Sequence, residues 1–173
     1  MKHKIMNVID CKLTTLLDKY ASVEKEIQKN IYQACSSFCG TCSLKCCKEE
    51  LCKESTESSF LSILIENQKL RYDTQNGWIG PSGCRLGYGR PLVCYEFFCN
   101  DILKSSLFKA ADIQKIIGDF VSVGNKAHGN THLQCINNLE TISSAKIEKM
   151  IYKINLLMDS IRLHADAQKN RRV

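Results

Sequence analysis

Nowhere in the sequence do about 18 apolar residues run together, so no membrane-spanning helix is expected. An apolar stretch of signal-peptide length is also missing near the N-terminus, where Asp10 and Lys12 break the pattern at once. The expected location is therefore cytoplasmic, a reducing compartment in which thiols stay unpaired. There is no internal repeat, low-complexity tract or interdomain linker, and residues 1–173 read as one domain. Aromatic residues do not alternate with Lys and Arg as they would on a nucleic-acid stacking platform. Gly87-Tyr-Gly-Arg90 is not followed by the Gly-Lys-Ser/Thr of a phosphate loop and reads as a turn.

Proline is scarce as well. The chain has two, Pro81 and Pro91, and both lie in residues 73–95 with five of the nine glycines. That stretch reads as turns, with room for a short β-hairpin around Gly77-Trp78-Ile79-Gly80. On either side the apolar residues recur at helical spacing. Residues 5–34 carry Leu13, Leu16, Leu17, Tyr20, Val23, Ile27 and Ile31 on one stripe, with Lys19, Glu24, Lys25, Glu26 and Lys29 assigned to a solvated face. Residues 55–71 form a second helix, capped by Thr56 or Ser58 and burying Phe60, Leu61, Leu64 and Ile65. Two short helices follow Cys99, the second starting at Asp112, and the clearest helix runs from about Ala145 to Gln168. The expected fold class is mainly α: a single helical domain with two irregular cysteine-rich loops that form a metal site.

What the chain has in excess is cysteine. Of eleven, nine fall in Cys35–Cys52 and Cys84–Cys99. In a reducing compartment close-set cysteines read first as metal ligands or redox groups. The formal charge of +6 loses its meaning on this reading, because six or seven ligating thiolates would bring it to about zero. Nucleic acid is therefore not an expected partner. The basic end Lys169-Asn-Arg171-Arg172 reads as a solvated tail.

The first cluster reads Cys39-Gly-Thr-Cys42-Ser-Leu-Lys-Cys46-Cys47, within a loop expected over residues 36–53. Two intervening residues let a turn aim both sulfurs at one centre, which suits zinc and iron–sulfur sites alike. Of the adjacent Cys46 and Cys47, either one ligates while its neighbour packs, or both bind different ions. The second cluster is Cys84, then Arg90-Pro91, then Cys94 and Cys99.

This order resembles the YkgJ-type cysteine-cluster family, a zinc- or iron-chelating group defined by a CxxCxxCC run, a helical spacer and a later cysteine pair around Arg-Pro. The likeness covers about residues 39–99, with helical flanks that it does not address. Position by position it implicates Cys39, Cys42, Cys46, Cys47, Cys84, Arg90, Pro91 and Cys94. One extra residue precedes Cys46-Cys47, and Tyr95-Glu96-Phe97-Phe98-Cys99 replaces the family's usual Arg and aromatic-Pro sequence. The resemblance implies a metal cofactor and, in some relatives, a place beside protein-modifying enzymes. It implies no substrate.

The expected metal ligands are Cys39, Cys42, Cys46, Cys47, Cys84, Cys94 and Cys99, with Cys35 in reserve as part of a C-x3-C-x2-C run. A radical S-adenosylmethionine enzyme uses that run, but its β/α scaffold does not fit so short a chain without repeated strand–helix units. Three close cysteines with one distant partner favour an iron–sulfur cluster, of the 4Fe-4S kind, and zinc is the alternative. Arg90 either faces the cluster as an outer donor or pairs with Glu96. His128, His132 and Cys135 have ligand-like spacing but read as an ordinary loop, and Cys11 and Cys135 as inert helix-face or core thiols. The expected function is a metal-binding protein that carries electrons or serves a modifying enzyme. A zinc-stabilised interaction domain and a metal chaperone or store are the alternatives. The expected partner is another protein, with no membrane, and no catalytic residue or small-molecule substrate is identified.

Overall fold

A computed structural model describes residues 2–39, 49–80, 83–96, 98–105 and 112–170. The fold is mainly helical. The elements, in chain order, are α1 (Lys2–Cys39), α2 (Glu49–Glu57), α3 (Ser59–Glu66), β1 (Ile79–Gly80), β2 (Gly83–Cys84), α4 (Asn100–Lys104), α5 (Ile113–Val123) and α6 (Ser144–Asn170). Short 3-10 turns lie at Leu92–Tyr95, Leu133–Cys135 and Leu139–Thr141.

The apolar stripe read on the first helix is the buried face of α1: Leu16, Leu17, Tyr20, Val23 and Ile27 lie in the core. Its main partner is α6, whose Ile147, Met150, Ile154, Leu157 and Ile161 recur at three- and four-residue steps. Lys12 bonds Ser144 at 2.7 Å and pairs with Glu148, while Lys19 bonds Asn155 at 2.7 Å. Moving along α1 therefore moves the same way along α6, and the two helices run parallel. Parallel helices need a return path as long as themselves, which the intervening elements supply.

Several expected boundaries move. Helix α1 continues to Cys39, although a loop was expected from Ser36. The expected loop also ends early, because Glu49–Glu57 is helical and carries Cys52 into the core, 8% exposed. The expected second helix is two helices: α2 and α3 meet at Ser58, whose hydroxyl accepts from the Leu61 amide at 3.3 Å and caps α3. The hairpin begins two residues after Gly77, with Ile79 opposite Cys84 and Gly80 opposite Gly83. Helix α5 starts directly after Asp112, as expected.

A group of rings joins these elements. Tyr20 of α1 packs edge-on against Phe60 of α3 at 5.0 Å and tilted against Phe120 of α5 at 4.9 Å, and Tyr95 meets Phe120 edge-on at 5.5 Å. Four chain segments thus share one aromatic centre. No helix among the described residues is long and apolar enough to cross a membrane.

Candidate functional site

The second cysteine segment has little regular structure between β2 and the turn at Leu92, so its backbone polar groups need other partners. Side chains supply them. Glu24 of α1, fully buried, takes the Gly89 N–H on one carboxylate oxygen at 2.7 Å and the Arg90 N–H on the other at 2.9 Å. The Tyr95 hydroxyl donates to that second oxygen at 2.5 Å, and the Gln28 amide donates there at 3.3 Å. From the far side, Gln134 accepts the Leu92 N–H at 3.2 Å and donates to the Arg90 carbonyl at 3.4 Å and the Tyr20 hydroxyl at 2.9 Å. Gln68 accepts the Gly87 N–H at 2.9 Å and donates to the Tyr88 carbonyl at 3.0 Å.

Three side chains from separate parts of the chain therefore tether residues 87–92. Arg90 adds a fourth tie, reaching back to the Leu86 carbonyl through Nε at 3.3 Å and Nη2 at 3.0 Å. Among the described residues no buried side-chain nitrogen or oxygen lacks a partner. A polar network satisfied this fully holds one geometry. Gly89 sits where the loop crosses α3, at φ +78°, and a Cβ there would lie 3.1 Å from Ile65 Cγ1. Only glycine combines that backbone angle with so close an approach.

Glu24 was assigned to the solvated face of its helix, and this is the clearest correction. It stands four residues after Tyr20 and three before Ile27, on the buried stripe itself, so its helical position carried a signal that its charge obscured. Burial raises its carboxyl above the usual value, against the pull of the Tyr95, Arg90 and Gly89 hydrogen bonds. Burial, then the nearby Glu24 charge, raises the Tyr20 and Tyr95 phenols well above their usual range. Both tyrosines stay neutral donors and acceptors at ordinary pH.

The tethered loop carries Cys94 in the turn at Leu92–Tyr95, where its N–H donates to the Pro91 carbonyl at 3.0 Å and the residue is exposed. Cys99 is exposed at the entry to α4, and Cys84 is half-buried on β2. The Arg90 guanidinium bonds the Leu86 carbonyl, and among the described residues no ion pair joins it to the exposed Glu96; its expected place beside the cluster depends on residues outside those described.

Of the remaining expected ligands, Cys42, Cys46 and Cys47 lie outside the described residues, as does the side chain of Cys39 at the end of α1. Among the described residues no three Cys, His, Asp or Glu side chains gather as a metal-binding group. Cys84, Cys94 and Cys99 are thiols, the soft donors that zinc and iron–sulfur centres take. Their donor chemistry suits such a centre, while most of the first cluster lies outside the described residues.

Cys52, the last cysteine of the first cluster, packs against the chain just before the hairpin that carries Cys84. Cys52 of α2 packs so closely under Gly77 that a Cβ on that glycine would lie 2.8 Å from Cys52 Cβ. Trp78 donates its indole N–H to Ser55 of α2 at 2.7 Å, and Ser55 donates to the Cys52 carbonyl at 2.7 Å. The hairpin bearing Cys84 is thus locked to the helix that leaves the first cluster.

His132 spends both ring nitrogens on backbone: Nε2 donates to the Val121 carbonyl at 3.2 Å, and Nδ1 accepts the Gln134 N–H at 3.1 Å. His128 bonds the Thr141 carbonyl at 3.1 Å. Both histidines serve the loop's own geometry. Cys11 and Cys135 are exposed rather than in the core. Sequence reading did not single out Gln134 or Gln68, whose roles appear only once distant segments meet. Comparison with family models, curated proteins and solved structures returned no match.

Proposed function

We propose that the chain is a metal-binding protein in which thiolates of Cys39, Cys42, Cys46 and Cys47 join those of Cys84, Cys94 and Cys99 around an inorganic centre. An iron–sulfur cluster, of the 4Fe-4S kind, is the leading occupant and zinc the alternative. Such a centre would carry electrons or serve an enzyme that modifies proteins, in the reducing cytoplasm. The likeness to YkgJ-type clusters belongs to this reading.

The observation that supports it most is the tethering of residues 86–92 by Glu24, Gln134, Gln68 and Arg90. A surface loop without regular structure is ordinarily the most tolerant part of a fold. Building one shape into it from side chains on three other segments suits a loop that must present Cys84 and Cys94 at fixed places. The bond from Trp78 to Ser55 gives the same support, since it fixes the chain entering the Cys84 hairpin to α2, the helix of Cys52.

Anaerobic purification with iron, acid-labile sulfide and zinc measured per chain, alongside the visible spectrum, tests the reading. Stoichiometric iron with sulfide supports the cluster, and zinc alone supports the alternative. Cys42→Ser and Cys94→Ser should each lower metal content; unchanged occupancy in both removes the shared centre.

A specific observation favours the zinc-stabilised interaction domain as a second reading. Tyr152, Leu156 and Leu163 are 62%, 52% and 71% exposed and share one face of α6. A metal that only staples the two loops would leave this stripe as the working surface.

A further inference from the structure

We infer that Glu24 is the positioning residue of this metal centre: held by α1, its buried carboxylate sets the Gly89–Tyr95 loop so that Cys94 can ligate. The inference rests on the metal-binding reading above and assigns a role to a residue with no ligand chemistry of its own.

Four donors converge on the Glu24 carboxylate, from the Gly89 and Arg90 amides, the Tyr95 hydroxyl and the Gln28 side chain. No neutral side chain replaces it. A glutamine would turn an N–H₂ group toward a neighbour that is itself a donor, either the Gly89 amide on one side or the Arg90 amide and Tyr95 hydroxyl on the other. The tie is also placed to act on the ligand. Tyr95 is the residue after Cys94, and its hydroxyl and its main chain are both fixed, the first by Glu24 and the second within the turn begun by Pro91. Arg90, the residue before Pro91, is held by its N–H on Glu24 and by its carbonyl on Gln134. Cys94 therefore hangs between two residues whose positions Glu24 sets. Losing groups that orient a ligand without touching the metal costs about 10–100-fold in metal affinity.

The test is cobalt(II) titration of the reduced, metal-free full chain, read by thiolate-to-cobalt absorption, for wild type, Glu24→Gln, Tyr95→Phe and the control Ile147→Val. Ile147 is buried on α6, outside the loop and its tethers, and its variant reports the effect of lost core stability alone. Glu24→Gln should weaken cobalt binding about 10–100-fold, with altered absorption from a displaced thiolate and retained helical circular dichroism. Tyr95→Phe, which leaves both backbone amides on Glu24, should weaken it less, and Ile147→Val should leave it unchanged. Equal affinity in wild type, Glu24→Gln and Tyr95→Phe overturns the role of Glu24 while metal binding stands. A Glu24→Gln loss matched by Ile147→Val overturns it too, by reducing it to general stability. If Glu24→Gln loses its helical signal, Tyr95→Phe against Ile147→Val decides. A wild-type chain that shows no thiolate–cobalt absorption and no iron or zinc as purified overturns the metal reading itself, and this inference with it.

Discussion

The hydroxyl of Tyr95 donates a 2.5 Å hydrogen bond to the carboxylate of Glu24, across 71 residues of chain, with both side chains buried. The bond joins the longest helix to the loop between Cys84 and Cys99. It also sets what removal of either partner should do. Glu24→Ala leaves the Gly89 and Arg90 amides and the Tyr95 hydroxyl without an acceptor, and should destabilise the metal-free chain by about 3 kcal/mol in urea unfolding. Tyr95→Phe should cost about 1 kcal/mol.

Gly89→Ala should be damaging for a separate reason. Its φ of +78° is strained for any L side chain, and the added carbon would press on Ile65 and Leu64. A loss of about 2 kcal/mol is expected, read as a lowered Tm.

Acid should loosen the loop between α5 and α6 through His132. Burial depresses its pKa below the ordinary 6.5, with the Val121 hydrogen bond pulling the other way. The unfolded chain therefore binds a proton more readily than the folded one. This group's contribution to stability is present above pH 6.5 and is lost as pH falls through the depressed value. Glu24 has the opposite sign: its raised pKa means that stability falls as pH climbs from 4.5 through that higher value. Urea unfolding of the metal-free chain between pH 5 and pH 7.5 should show the histidine's slope, flattened in His132→Asn.

Thiol labelling should sort the cysteines. Cys11, Cys94, Cys99 and Cys135 are exposed and Cys52 is buried, so in the metal-free chain Cys52 should react more slowly than those four. Metal should then protect Cys94 and Cys99 and leave Cys11 and Cys135 reactive, as peptide mapping by mass spectrometry would record. Equal labelling of Cys94 and Cys135 with metal present would exclude Cys94 from the ligand set.

Trp78, the one tryptophan, reports on the lock between α2 and the hairpin. Its buried indole N–H has Ser55 as acceptor, so Ser55→Ala should cost about 1–3 kcal/mol. The fluorescence maximum should shift, because a polar partner leaves the ring.

Helix content and core were largely legible in the sequence, because three- and four-residue spacing is a local property. Leu16, Tyr20, Val23 and Ile27 needed no knowledge of what they would face, and neither did Phe60, Leu64 or Ile154. The Ser58 cap was legible for the same reason. Glu24 was not, since a glutamate at a core position is read as solvated until its four donors are known, and three of them come from a loop more than 60 residues away. Gln134 and Gln68 escaped notice likewise. Helix α2 was hidden by the density of cysteine around it, which drew Cys52 into an expected metal loop. The likeness to YkgJ-type clusters points to Cys84, Arg90 and Cys94 as candidates, but motif order says nothing of a carboxylate outside the motif.

The parallel pairing of α1 with α6 bears on how the chain is made. Lys12 finds Ser144 and Glu148 only after more than 130 intervening residues, and such distant contacts slow folding, because a large loop must close before they form. While the polypeptide emerges from the ribosome, the part of the α1 stripe that α6 covers has to wait for its partner helix to be synthesised, even as α3 and α5 reach Tyr20. During translation that stripe is a natural target for a chaperone, and truncated chains that stop before α6 should aggregate.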